Sequence, residues 1–391
     1  MLIGLDAIPL TEPLTGVGRY TLELARALAL AAPSHEFELA YPSRYAPVEI
    51  GVEGEAPANL RAERVEVGAL GRRWWLVGLP RHARRRGYGL FHGTNYDVPL
   101  RAACPTVLTI HDLSALTHPE THVARRARRL RLRLPLMARA ATRVVTPTEA
   151  VRREVCARLD LDPLKVTAIH EAPGGIFRPL PREEAARRLE RLGVGGDFLL
   201  AAGTVEPRKN LSTLVRAFER MTAADPGALA RPGPREPVRL VVAGREGWMT
   251  GGLRALVAAS PVRDRIAFTG YVADEDLRAL YSSCLAFVYP SLYEGFGLPP
   301  LEAAACGAPV VASRIGAHLE TLGEEAALLF APDDVDGLAR ALAEIARGEA
   351  LRRRLSRAAR ERAARFTWER AARATLEVYE RAAHEWAAKD R

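Results

Sequence analysis

The stretch "YPSLYEGFGLPPLEAAACGAPVVAS" (residues 289–313) carries two acids, Glu294 and Glu302, eight positions apart across Gly295, Gly297 and the pair Pro299-Pro300. The apolar run "LAFVYPS" (285–291) leads into it and reads as a buried strand, so Glu294 follows a strand's carboxyl end. Gly295 and Gly297 let a ligand approach the backbone closely. Pro299-Pro300 suits the first turn of a helix, where a missing N–H costs little. The amino end of such a helix favours phosphate through its dipole. Glu302, in the early turns, can accept hydrogen bonds from a diol such as a ribose. An acid for a sugar, a helix end for phosphates and an acid for a ribose together describe a site for a nucleotide sugar.

Outward from this stretch, short apolar runs alternate with amphipathic ones. The runs predict strands at 1–7, 36–41, 62–67, 89–92, 105–110, 143–146 and 166–170. A second series falls at 197–202, 238–243, 265–269, 285–289, 308–312 and 327–330. Helical patterns lie between many of them, as at 18–31, 148–159, 211–222, 274–282 and 335–346. Runs such as "RLVVAG" and "PVVAS" lack polar alternation, as expected of parallel strands covered on both faces. The alternation argues for an α/β fold. A chain of 391 residues exceeds one ordinary domain. "EAPGGIFRPLPREE" (171–184) has the Pro and Gly content of a linker. The expected architecture is two Rossmann-like domains facing across a cleft: residues 1–173, a linker at 174–182, and 183–365. The terminal helical segment 366–391, broken near "FTW" (366–368), is expected to return to the first domain. In open α/β sheets ligands bind beyond the carboxyl ends of the strands, so candidate residues are sought there.

The spacing E-x7-E in "EGFGLPPLE", followed by A-x-A-C-G-x-P-V-V-A-S (303–313), resembles the donor-binding signature of the retaining GT-B glycosyltransferases of family 4. The likeness extends to "GTVEPRKNL" (203–211), "TGYV" (269–272) and the terminal "FTW" helix, and is close to bacterial mannosyltransferases of surface polysaccharide assembly. It implies that Glu294 contacts the donor sugar, that Phe296, Gly297 and Leu298 place backbone amides near sugar and phosphates, and that Glu302 holds the ribose. It also implies transfer of a hexose, read as mannose, with retention, to a glycan or lipid-linked glycan. No cofactor is implied beyond the sugar nucleotide as substrate, with GDP-mannose favoured over a UDP-sugar.

Supporting candidates sit at other strand ends. After Gly203, Arg208 and Lys209 offer adjacent cations for a diphosphate. Many family members have Arg directly after this Gly, whereas this chain has Thr204, so the clamp falls to Arg208 and Lys209. "EPLTGVGRY" (12–20) puts Gly16 and Gly18 between the first strand and helix. A dinucleotide fingerprint would need a third glycine where Thr21 stands, so NAD is disfavoured. In the resembled family this loop nears the donor diphosphate. His111 ends a buried strand and matches the family's active-site histidine, with Asp112 next to it. His92 and Asn95, at the end of the preceding strand, are assigned to the acceptor side together with Asp112. Tyr271 and Val272 are expected beside the nucleobase, with Gly244 in a nearby turn.

No metal is expected. "LDLDP" (159–163) has Asp-x-Asp spacing but follows a helix and runs into Pro163, and two cations with a helix end supply the charge stabilisation. The four cysteines form no C-x-x-C pair, which argues against zinc or a disulfide framework and for a reducing compartment. The start "MLIGLDAIPL" is strand-like with no basic leader, and no run of ~18 apolar residues occurs, so a cytoplasmic protein is expected.

Net charge is +9, and residues 1–180 hold 25 Lys and Arg against 18 Asp and Glu. Residues 72–86 and 124–143 contain 14 arginines and no acids. Interleaved with Trp74, Trp75, Leu130, Leu132 and Leu134, they suit an anionic membrane surface on the cytoplasmic side, or else a solvated arginine-rich face. No recognised nucleic-acid module accompanies them. Two further readings stay open: a nucleotide-sugar epimerase, which would convert the donor without an acceptor, and a non-catalytic nucleotide-sugar-binding subunit.

Overall fold

The computed structural model describes residues 1–12, 16–51, 56–68, 73–224 and 237–389. Arg72, assigned to the basic surface, lies outside them. Two compact units emerge. The first comprises Met1–Thr117, Ala124–Ala172 and Thr367–Arg391; the second comprises His118–Val123 and Pro173–Phe366.

In the first unit the elements run β1 (Leu2–Asp6), α1 (Gly16–Ala31), β2 (Glu36–Pro42), β3 (Leu60–Val65), α2 (Leu79–Arg86) and β4 (Leu90–Gly93). They continue β5 (Thr106–Thr109), α3 (Ser114–Thr117), α4 (Ala124–Ala140), β6 (Arg143–Thr146), α5 (Glu149–Leu159) and β7 (Val166–Ala168). The second unit begins α6 (Arg182–Arg191), β8 (Phe198–Ala202), α7 (Leu211–Ala224), β9 (Arg239–Ala243), α8 (Gly251–Ala259) and β10 (Ile266–Gly270). Then come α9 (Asp274–Ser283), β11 (Ala286–Tyr289), α10 (Leu298–Ala305), β12 (Val310–Ser313), α11 (Gly316–Thr321) and β13 (Ala327–Phe330). Helices α12 (Val335–Arg347) and α13 (Glu349–Ala363) close it, and α14 (Trp368–Lys389) belongs to the first unit.

The first sheet has the order β3-β2-β1-β4-β5-β6-β7 and the second β10-β9-β8-β11-β12-β13, every pairing parallel. Both are doubly wound. The chain's course reverses between β1 and β4 in one and between β8 and β11 in the other, and a crevice opens at such points beyond the strand ends. Each strand expected from an apolar run is present within a few residues, because a parallel strand covered on both faces must be apolar throughout. Phe198, Leu199, Leu200 and Ala201, for instance, are all buried.

Helix α14 supplies Ala371, Ala372, Val378 and Tyr379 to the first unit's core, where they join Leu24, Leu28 and Phe37. An apolar side chain of this size contributes ~1.5–3 kcal/mol when fully buried. The Tyr379 hydroxyl meets His92 Nδ1 at 2.7 Å, and Arg143 on β6 donates from Nε to Glu385 at 3.1 Å. The terminal helix is thus fastened by packing and by polar contacts. The Asp-x-Asp pair at 160–162 caps two turns: Asp160 is the left-handed cap of α5, and Asp162 accepts from the Leu164 amide at 2.8 Å at the start of the 3-10 turn Pro163–Lys165.

Candidate active site

The second unit brings two loops together at its switch point, one after β8 and one after β11. The first makes a single 3-10 turn over Pro207–Lys209 and exits through Asn210 at φ 53°. Asn210 Nδ2 donates to the carbonyls of Pro290 (3.2 Å) and Pro332 (2.9 Å), which ties this turn to the neighbouring strand ends. Glu294, in the second loop, accepts from Arg208 Nη1 through Oε2 at 2.9 Å and from Lys209 Nζ through Oε1 at 2.7 Å. Arg208 also donates to Glu206 (2.7 Å) and to the Tyr293 carbonyl (2.9 Å). Lys209 Nζ lies 2.5 Å from the Tyr289 hydroxyl.

The Glu294 side chain is only 9% exposed. Burial alone would raise its carboxyl pKa, but Arg208 and then Lys209 outweigh burial and hold it well below the usual range. Lys209 is shifted down, chiefly by burial and then by Arg208, with Glu294 opposing. Glu294 is therefore ionised at neutral pH. The two cations expected to clamp a diphosphate are paired with two carboxylates, Glu206 and Glu294. An ammonium has three N–H donors, and Tyr289 and Glu294 occupy two of Lys209's.

Behind the loops, adjacent strands end in Gly203 (φ 126°), Gly244 (φ 143°) and Gly270 (φ 71°). The Gly203 amide donates to the Ala243 carbonyl and the Gly244 amide to that of Gly270, at 2.9 and 2.7 Å. A Cβ on Gly244 would stand 1.9 Å from the Gly203 carbonyl oxygen, so no other residue fits. Tyr271 follows, 68% exposed, with Val272 buried beside it.

Helix α10 starts after Gly297, whose φ of 93° only glycine adopts freely. The expected set of helix-end amides is reduced here. Pro299 and Pro300 carry no N–H, so the dipole remains while the donors nearest the end are those of Gly297 and Leu298. Gly295 is buried, and the buried Phe296 ring packs 5.8 Å from that of Phe366, so side chains from this loop serve the core. Glu302 lies buried on α10. Burial first and Glu302 next push the Cys306 thiol up to about 12.

Sequence reasoning missed His318. It is fully buried on α11 and donates from Nδ1 to the Ser313 carbonyl at 2.8 Å. Its Nε2 has no partner among the described residues and faces Gly297, where a Cβ would lie 3.4 Å away. Nothing in "SRIGAHLET" marks this, because the contact depends on how α11 folds back under Gly297. Also missed was the short segment His118–Val123, which packs in the second unit. The His118 ring lies 5.5 Å from that of Tyr293, and Trp248 Nε1 donates to the Thr121 carbonyl at 2.8 Å.

The first unit corrects three expectations. Gly16 and Gly18 are not in a loop but form the first turn of α1, and residues 13–15 before them lie outside the described residues. His92 is fully buried, with Nδ1 on Tyr379 and Nε2 2.8 Å from the Thr109 hydroxyl. Burial, then His111, bring its pKa down to about 3. It is a neutral core residue holding α14, not an acceptor-facing one. Asp112 accepts from the Ser114 amide at 2.9 Å and so caps α3. His111 is 8% exposed; Nε2 donates to the Thr94 carbonyl at 2.8 Å and Nδ1 lies 3.4 Å from Glu171. Tyr20 and Tyr96 flank its ring. Asn95 remains accessible at the end of β4.

Two doubly wound units, the second with an acid–base cluster at its switch point and the first completed by the terminal helix, define the GT-B class of fold. Residues 14–172 match the profile described as Glycosyltransferase Family 4, and residues 183–362 the one described as Glycosyl transferases group 1. The chain is 32% identical over 340 residues to O-antigen chain mannosyltransferase B of Escherichia coli, covering 84% of this chain and 86% of that one. Among solved structures it is similar to sucrose-phosphate synthase from Thermosynechococcus elongatus, with TM-score 0.75, 23% identity and 99% of each chain covered. It is also similar to Anabaena HepE in complex with UDP and glucose, with TM-score 0.72 and 18% identity over 97% of this chain and 99% of that one. The chain belongs to glycosyltransferase family 4 and is a hexosyltransferase.

Proposed function

We propose that this enzyme transfers mannose from GDP-mannose to a glycan or lipid-linked glycan of a surface polysaccharide, with retention and without a metal ion or other cofactor. The observation that carries the reading is the cluster of Glu206, Arg208, Lys209 and Glu294 at the β8/β11 switch point, beside the Gly297 end of α10. Mannose as the sugar rests on the E. coli relative, whose name specifies O-antigen chain mannosyltransfer.

In this reading Glu294, fixed and ionised, accepts hydrogen bonds from donor-sugar hydroxyls. Lys209 and Arg208 stabilise the charge that grows on the leaving diphosphate, and the Gly297 and Leu298 amides assist. Glu302 takes the ribose, and Tyr271 and Val272 flank the base. The cations are held in place beforehand by carboxylates, so little reorganisation is needed when charge develops. Acceptor attack on the face the diphosphate leaves would give retention, with the departing phosphate oxygen taking the acceptor's proton. His111, held by Thr94 and Glu171, would meet the donor sugar from the first unit's strand ends.

The enzyme would work at the inner face of the cytoplasmic membrane. Among the described residues no helix is long and apolar enough to cross a membrane. Helix α4 exposes Arg125, Arg126, Arg128 and Arg131 together with Leu132 and Leu136, a composition suited to an anionic interface.

The test is transfer from GDP-mannose to a mannose-terminated acceptor in the presence of EDTA, with the new linkage read by NMR. An α-linked product at an undiminished rate is expected. A β-linked product, or a rate abolished by EDTA and restored by a divalent ion, would overturn the retention or metal assignment respectively.

A further inference from the structure

His111, which follows β5, is held through both ring nitrogens. Nε2 donates to the Thr94 carbonyl at 2.8 Å, and Nδ1 lies 3.4 Å from Glu171 Oε1. Thr94 is itself fixed, because its hydroxyl donates to the Asp6 carbonyl at 2.9 Å. The rings of Tyr20 and Tyr96 meet that of His111 edge-on, at 4.8 and 5.8 Å, and brace it against turning over. Glu171 stands three residues beyond β7, and β6 separates β5 from β7 in the sheet. The loop after β7 therefore reaches past a whole strand to bring a carboxyl group to His111. Both side chains are buried, and a buried carboxyl group left unpaired is destabilising.

These two acceptors fix the proton count. A backbone carbonyl only accepts, so Nε2 carries a proton. Were Nδ1 bare, its lone pair would face an ionised carboxylate, so a proton lies between Nδ1 and Oε1 as well. His111 thus offers no lone pair for use as a base. Its contact with Glu171 is also loose: a charge-assisted N–H···O bond is typically ~2.7–2.9 Å, and this one is longer. A better acceptor can take it over without turning the ring.

The groups packed around the pair do not share its proton. On β4, His92 is neutral, its pKa brought down to about 3 by burial and then by His111. Tyr20 on α1 and Tyr379 on α14 are both pushed up, in each case chiefly by burial, and stay un-ionised. Tyr96 uses its hydroxyl on the Asp112 amide at 3.0 Å. The Asp112 carboxylate accepts from the Ser114 amide and hydroxyl at 2.9 and 2.7 Å. A charge change at this strand end near neutral pH therefore belongs to His111 and Glu171.

We infer that Glu171 is a positioning residue for transfer: it keeps His111 protonated on both nitrogens and holds Nδ1–H ready to be donated to an oxygen of the departing diphosphate. The inference rests on the proposed glycosyl transfer and adds to it the proton state of His111 and the residue that sets it. Arg208 and Lys209 already serve carboxylates, so a loosely held N–H adds most where negative charge grows. His111 touches the donor, and Glu171 acts only through it.

The experiment measures transfer from GDP-mannose to mannotriose from about pH 5.5 to 9.5 for wild type, Glu171→Gln, Glu171→Asp, His111→Gln and the Glu171→Gln/His111→Gln double variant. Glu171→Gln keeps a hydrogen-bonding group on Nδ1 but removes the charge. It should lower kcat about tenfold or more with donor KM unchanged, and move the alkaline limb of the kcat profile to lower pH. Glu171→Asp, which keeps the charge, should keep the wild-type limb. In the His111→Gln background Glu171→Gln should produce no further loss, as expected of residues that act as a unit. Additive losses at the two positions, or a Glu171→Gln profile that overlays that of wild type, would overturn the inference. Histidine ring-nitrogen NMR reads the same pair without turnover. His111 should show two protonated nitrogens at neutral pH in wild type and one in Glu171→Gln; a single protonated nitrogen in wild type would overturn the inference too. Absence of transfer by wild type would instead strike the proposed function, and the NMR result would still decide the pair.

Discussion

The two sheets share the strand order 3-2-1-4-5-6, to which the first adds β7 at its edge, yet the buried carboxyl groups at their switch points are held in opposite charge states. In the second unit Glu294 is buried but ionised, because Arg208 and Lys209 stand within 3 Å of it. In the first, Asp6 is buried with no such cation on it, and burial keeps its proton on up to about pH 8. The same crevice thus holds an ionised buried carboxylate in one unit and, in the other, a protonated one beside a wall of Tyr45, Trp74 and Trp75. A topology sets where a ligand can bind; the side chains at the strand ends set what kind.

Breaking the charged side of this contrast should have the largest effect. Glu294→Gln leaves Arg208 and Lys209 buried with less counter-charge, and loss of one member of a buried pair costs ~3–5 kcal/mol. Urea unfolding should show that loss at pH 7.5, alongside a fall in transfer of about 100-fold or more. The stability deficit should shrink as pH falls. The folded-state pKa of Glu294 is depressed below the ordinary 4.5, so its contribution is complete above that value and is lost on acidification through the folded-state pKa. A variant as stable and active as wild type would separate Glu294 from the cluster's function.

The neutral side should respond with the opposite sign. Asp6 has an ordinary pKa of 3.8 and a folded-state value of about 8. Between those values the unfolded chain has given up its proton while the folded chain retains it, so stability falls as pH rises through the window. Asp6→Asn should flatten that slope and match or exceed wild type in unfolding midpoint at pH 7.5. Equal slopes from pH 4 to 8 in both proteins would remove the neutral carboxyl from the contrast.

The smallest folding effect is expected on α4. Leu132 is 65% exposed, so Leu132→Asp should change stability by no more than ~0.5 kcal/mol. It should nevertheless weaken sedimentation with vesicles containing anionic lipid at low salt. If wild type itself fails to sediment, the arginine-rich face is simply solvated.

Much of the fold was legible because parallel strands leave a strong mark. "AFVY" is apolar at every position and "RLVVA" at all but its opening Arg239, and each became an interior strand. The candidate site was legible where it sits in one loop. Glu294 and Gly297 are three residues apart, and Arg208 and Lys209 directly follow a strand-end turn. What stayed hidden depends on partners far along the chain. His92 resembles a strand-end site residue until Tyr379, 287 positions away, takes its Nδ1. His318 has no signature until α11 places it beneath Gly297. Gly16 and Gly18 fit a loop or a helix start equally well by composition, and α1 begins early enough to include both. The pairing of Arg208 with Glu206 was masked by proximity, since a carboxylate two residues away reads as a neighbour rather than a partner.

The most direct test is the thermal stability of the wild-type enzyme and of Lys209→Gln with GDP-, UDP- and ADP-sugars in turn. A ligand at ~100 times its dissociation constant should add ~2.7 kcal/mol of stability, which a melting curve resolves. The account predicts that GDP-mannose raises the wild-type midpoint and leaves that of the variant nearly unmoved. Equal stabilisation of both proteins, or none of wild type by any sugar nucleotide, would contradict the claim that the Lys209–Glu294 cluster holds the donor.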